Sequence, residues 1–105
     1  MEMQNFKDAG ASFEQAISLG TKNQNNIYPL TAKCYFKSEL YKKALEYAEM
    51  AIDSDPKDVE SLKIIVGVHK RNKNEMLERI ALEKIVAINP QDSESVSRLN
   101  TLKSI

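Results

Sequence analysis

Apolar side chains recur along this chain at intervals of three and four. In the stretch 2–18 they are Met3, Phe6, Ala9, Phe13, Ala16 and Ile17, a spacing that gathers them on one face of a helix. The stretch 41–54 repeats the rhythm with Tyr41, Ala44, Ala48 and Ala51. From Phe6 and from Tyr41 the next three members fall at the same offsets of three, seven and ten. The same reading predicts helices over 27–38, 58–71, 74–88 and 93–103. The pattern is therefore all-α, with about six helices.

A second regularity overlies the first. Asp55-Pro56-Lys57-Asp58-Val59-Glu60-Ser61-Leu62 recurs as Asn89-Pro90-Gln91-Asp92-Ser93-Glu94-Ser95-Val96. From Pro56 to Pro90 this sets a period of about 34 residues. Each copy reads as the end of one helix and the start of the next. Pro cannot continue a helix, and the Asp that follows can cap a new one. Ser61 and Ser95, three positions past those caps, provide a weaker form of the capping box.

With that period, the residues resemble the tetratricopeptide repeat (TPR) family, whose pattern runs through a large aromatic, Leu-Gly, Tyr, and later Ala, an aromatic, Ala and Pro. Tyr28, Ala32, Tyr35, Ala44, Ala51 and Pro56 fall at the family's spacing, while Thr31 stands for the Leu and Ala48 for the aromatic. In the next unit Leu62, Ile65, Leu82, Ile85 and Pro90 agree in character. Val66 there replaces a small residue. Glu78 stands where a small residue lets helices cross closely, so a wider or rotated crossing is expected at that point. The resemblance implies a right-handed superhelical stack of antiparallel helical hairpins in a single domain, 1–105. Its parts are a half repeat over 2–18, repeats over 25–58 and 59–92, and a C-terminal capping helix over 93–105 with polar outer positions at Ser93, Ser95, Ser97 and Lys103.

Stacks of this kind present the first helix of each hairpin along a concave groove that takes an extended peptide or a helix. The resemblance places Asn26, Leu30, Lys33, Phe36 and Lys37 there from the first such helix. The second contributes Glu60, Lys63, Ile64, Gly67, Lys70 and Arg71, and the third Glu94, Ser97 and Arg98. Six of these are basic and two acidic. Such a groove would attract an acidic segment or a free carboxylate, with Leu30, Phe36 and Ile64 as apolar contacts and Gly67 leaving a gap for a side chain. The same lysines can equally be read as solvated helix faces, since exposed ion pairs contribute only about 0–1 kcal/mol. One branch of the family clamps chaperone C-termini with a Lys/Asn/Arg set. Here the expected Asn is Ile64 and the expected Lys is Glu94, and Arg98 alone matches, so docking of that kind is not expected.

Composition narrows the classes further. Fifteen basic residues balance fifteen acidic ones, which removes the net field that draws proteins to nucleic acid, and no apolar run approaches the roughly 18 residues of a membrane helix. The run His69-Lys70-Arg71-Asn72-Lys73-Asn74 lacks interleaved aromatics and is followed by Glu75, Glu78 and Glu83, so it is read as a solvated turn. Cys34 is the lone cysteine and is expected as a small buried hydrophobe. His69, one period after Tyr35, is expected as a packing residue. One Cys and one His cannot hold zinc, and no P-loop, G-x-G-x-x-G or H-E-x-x-H is present. A non-enzymatic, cofactor-free, cytoplasmic scaffold for a protein or peptide partner is expected. The alternative is a module that self-associates as a homodimer through residues 2–18 around Met3, Phe6 and Phe13.

Overall fold

The computed structural model describes the backbone of residues 2–20 and 24–104 and the side chains of 5–20 and 27–104. The candidate residue Asn26, like Met3, lies outside the described side chains. Among the described residues there are six helices and no strand: α1 (Glu2–Ser18), α2 (Gln24–Lys37), α3 (Tyr41–Ser54), α4 (Val59–Arg71), α5 (Glu75–Ile88) and α6 (Ser93–Lys103). Each helix packs on the next, and α2 also packs on α4. The result is a stack of helical hairpins with extents of 45 × 28 × 20 Å.

The repeat period is written into the turns. Asp55 Oδ1 accepts from Lys57 N–H at 3.1 Å and Asn89 Oδ1 from Gln91 N–H at 3.3 Å, so both copies fold as the same Asx turn. The two caps diverge. Asp92 accepts from the Ser95 N–H at 3.3 Å, as the sequence suggests, but Asp58 caps no backbone donor. Its carboxylate accepts the Ser61 hydroxyl at 2.8 Å instead. The helix ends also repeat at this period. Glu39 and Lys73 hold left-handed φ values of 64° and 59°, and Leu40 and Asn74 donate back to the carbonyls of Tyr35 and His69 in matching C-terminal closures.

Small side chains set how closely the helices approach. Ala32, Ala44 and Ala48 are completely buried; Ala32 and Ala48 pack with Leu62, Ile65, Ala81 and Ile85 in one cluster, and Ala44 with Tyr35 and Val68 in another. In α1 the position that matches Ala44, one period earlier, is Gly10 rather than Ala9. A Cβ on Gly10 would lie 3.0 Å from Tyr35 Cε1, whereas Ala9 stays partly exposed.

Glu78 occupies that same position in the next repeat. Its side chain is 1% exposed, and Arg98 of α6 grips it through Nε at 2.7 Å and Nη2 at 3.0 Å. A two-pronged bond of this kind gives both carboxylate oxygens a partner inside the protein. Helix α6 therefore rests on α5, through Leu82, Leu99 and Leu102, while its backbone stays clear of α4 among the described residues. Ser93, Ser97 and Lys103 are exposed on α6. Ser95 is not; it is 4% exposed and turned inward against the Asp92 cap.

Candidate functional site

Helices α2, α4 and α6 line one side of the stack, and the gaps between them form two clefts, each of about 230 Å³. The first is bounded by Pro29, Lys33, Phe36 and Lys37 of α2 and by Glu60, Lys63 and Ile64 of α4. The second is bounded by Lys63, Val66, Gly67 and Lys70 of α4, Glu78, Leu82 and Ile85 of α5, and Glu94, Ser95 and Arg98 of α6. Lys63 belongs to both. The Glu78–Arg98 pair lies in the wall of the second cleft.

The clefts thus gather Lys33, Phe36, Lys37, Lys63, Ile64, Gly67, Lys70 and Arg98 from the residues singled out above, together with Glu60 and Glu94. Leu30 is 48% exposed, and neither it nor Arg71 nor Ser97 lines either cleft. Arg71 lies at the end of α4 with its guanidinium 4.8 Å from the centre of the Tyr41 ring.

Two of the expected groove cations are already committed. Lys63 Nζ is 3.1 Å from Asp92 Oδ2, and this contact, followed by the Ser95 N–H, holds the Asp92 carboxyl below its ordinary value. Arg98 is bound to Glu78, which holds its guanidinium even more firmly protonated, against the opposing effect of burial. Lys33 and Lys70 form no ion pair among the described residues, and Lys37 lies over the Phe6 ring at 5.0 Å. Free cleft charge is therefore Lys33, Lys37 and Lys70 against Glu60 and Glu94, a smaller excess than the sequence count suggests.

Gly67 also differs from expectation. A Cβ there would lie 2.7 Å from Phe36 Cζ, so the space it leaves is filled by the chain's own ring, which in turn meets Tyr41 edge-on at 5.5 Å. Phe36 on Gly67 stands at the boundary between the clefts. Cys34 is half-buried, and burial pushes its thiol up despite Lys33 and Lys37 nearby; this is the opposite of an activated nucleophile. His69 is 8% exposed within α4, in line with a packing role.

Sequence reasoning missed one polar centre. Glu14 of α1 accepts the Tyr35 hydroxyl at 2.7 Å on Oε1 and the Tyr47 hydroxyl at 2.7 Å on Oε2, and Lys43 Nζ lies 3.2 Å from Oε1. The Tyr35 and Tyr47 bonds, with Lys43 adding, hold the Glu14 carboxyl below its usual value against the effect of burial. Burial and the Glu14 bond raise both phenols, Tyr47 to about 12. Tyr47 stacks on Tyr35 and Tyr28 with ring centres 6.0 and 6.5 Å apart. The signal was available: Glu14 lies one period before Ala48, at a position that faces inward in each unit. By contrast Phe6 and Phe13, read as an exposed edge, are half-buried.

Among the described residues no group of three or more His, Cys, Asp or Glu side chains could hold a metal ion, and no helix is long and apolar enough to cross a membrane. No family model matches this chain. A curated relative does. The chain is similar to the transcription factor tau 131 kDa subunit of Saccharomyces cerevisiae (strain ATCC 204508 / S288c), with 27% identity over 100 residues. The match covers 94% of this chain and 10% of the relative, so the chain spans about a tenth of that protein's length.

Proposed function

We propose that this chain is a protein-interaction scaffold of the tetratricopeptide kind, which holds a segment of a protein partner along the side lined by α2, α4 and α6 and thereby helps a multi-subunit complex assemble. The observation that carries the reading is the pair of clefts meeting at Lys63, an apolar floor of Pro29, Phe36 and Ile64 edged by Lys33, Lys37 and Lys70. The relative supports it at a coarser level, because a protein named as a subunit works within an assembly.

The chemistry of the clefts favours an acidic segment with one apolar anchor. Burying about 100 Å² of anchor surface contributes about 2.5 kcal/mol. A few such contacts with charge steering reach roughly micromolar affinity once ordering costs are met. Binding, not catalysis, is the role we assign to these residues.

The test is selection from a random peptide library displayed on phage, using the wild-type chain and a Lys33→Glu, Lys37→Glu, Lys70→Glu variant as baits. These three leave the internal Lys63–Asp92 and Arg98–Glu78 pairs intact. Acidic peptides with a shared apolar residue, enriched by the wild type and lost with the variant, are expected. Enrichment of peptides with no acidic residues, or equal recovery by both baits, would count against this face.

A further inference from the structure

The opposite side of the stack carries an apolar surface that the clefts do not use. On α5, Met76 is 73% exposed, Leu77 41% and Ile80 44%. Leu77 and Ile80 border a furrow between α3 and α5, made of two joined hollows of about 120 and about 400 Å³ that share Ile52 and Lys84. Leu77, Ile80, Lys84 and Ile88 line its α5 wall at offsets of three, seven and eleven, which is one helix face about 16 Å long. The other wall is Glu49, Ile52 and Asp53 of α3 and Pro56 just past its end, in the same direction, with Glu49 at the Leu77 end and Pro56 at the Ile88 end. Large apolar side chains clustered beside a groove mark an interaction surface.

Charge indicates what covers it. Glu49, Asp53 and Lys84 form no ion pair among the described residues, whereas Arg79 and Glu83 on the outer flank of α5 are paired with each other at 3.5 Å. The furrow thus has an unpaired acidic wall on α3 and an unpaired cation on α5.

We propose that a second copy of this chain fills the furrow, α5 of each copy lying antiparallel in the furrow of the other about a two-fold axis near Ile80. An antiparallel register about Ile80 sets the second copy's Lys84 opposite Met76 and Leu77, at the end of the furrow that Glu49 lines. Symmetry repeats the Glu49–Lys84 pair on the other side; the two Ile80 side chains meet at the axis, and Met76 and Leu77 of each copy lie along the aliphatic stem of the other's Lys84. One surface carries both halves of each contact, as a two-fold interface requires. A helix from an unrelated protein has no such built-in match. The proposal is independent of the reading of the clefts on the other side.

Sedimentation equilibrium on the wild type, from about 5 µM to about 1 mM, is expected to show a monomer–dimer equilibrium within the range of weak self-association. Ile80→Glu, at a half-exposed position, is expected to remain helical by circular dichroism and to sediment as a monomer. Glu49→Lys and Lys84→Glu are each expected to weaken the dimer by about tenfold, the effect of two like-charge contacts in place of two attractive ones. An equimolar mixture of these two variants is expected to recover wild-type affinity, because in the mixed dimer both contacts are again attractive. A wild type that stays monomeric throughout, a dimer that survives Ile80→Glu, or a mixture no tighter than its components overturns the proposal.

Discussion

Removing Arg98 tests how much the buried ion pair between α5 and α6 contributes to the stack. Arg98→Ala leaves the Glu78 carboxylate at 1% exposure without its partner. Breaking a buried pair from one side costs about 3–5 kcal/mol. Arg98 is itself 32% exposed, so water admitted by its loss moderates the effect toward the lower limit, about 3 kcal/mol. Against a total stability of about 5–15 kcal/mol for a domain, that is a large fraction. At about 4 °C or more per kcal/mol for a chain of this size, Tm is expected to fall by at least about 12 °C. The double variant Glu78→Ala, Arg98→Ala removes both charges and restores at position 78 the small residue found at Ala44 and Gly10. It is expected to lie within about 1 kcal/mol of wild type, with a coupling of about 2 kcal/mol or more in the cycle. Urea denaturation of the four proteins, followed by far-ultraviolet circular dichroism, measures this. A single variant that costs less than about 1 kcal/mol, or a double variant no more stable than Arg98→Ala, would refute the reasoning.

Further outcomes are expected elsewhere in the stack. The Glu14 carboxyl is held low by Tyr35, Tyr47 and Lys43, so its contribution is complete above the ordinary carboxylate value of 4.5 and is lost as pH falls through its depressed value in the folded chain; acid unfolding of Glu14→Gln should lack that component. Tyr47, raised to about 12, contributes stability that is complete below the ordinary phenol value of 10 and lost as pH rises through about 12. Its delayed ionisation, read by absorbance, should vanish in Tyr47→Phe. Glu39 and Lys73 sit at φ 64° and 59° with side chains that disfavour the left-handed region, so Glu39→Gly and Lys73→Gly should each stabilise by about 0.5–1 kcal/mol in thermal melts. Gly67→Ala places a methyl 2.7 Å from Phe36 Cζ and should cost about 1–2 kcal/mol while altering the near-ultraviolet signal of Phe36 and Tyr41. Adding Phe36→Leu should relieve part of that loss.

What the sequence determined by itself was everything governed by local chemistry and period. Six helices follow from the three-and-four spacing. The helix breaks at Pro56 and Pro90 follow from Pro, and the repeat unit fixes that Ala44, Ala48 and Ala51 share a face. The clefted side was legible too, since first helices recur at fixed intervals and place Lys33, Phe36, Lys63 and Ile64 together.

Only the tertiary structure decided how charges were partnered. Lys63 and Arg98 looked like free groove cations because their carboxylates, Asp92 and Glu78, belong to distant parts of the chain and come near only when α6 docks. Phe36 fills the gap beside Gly67 for the same reason: one is on α2, the other on α4, and no periodicity within either helix reports their contact. Glu14, Tyr35, Lys43 and Tyr47 come from three helices, and a carboxylate's choice among two hydroxyls and an ammonium depends on distances that helical spacing does not contain. The exposed face of α5 was likewise hidden. Leu77 and Ile80 carry the same apolar signature as buried positions, and exposure is fixed by whether another helix lies across them.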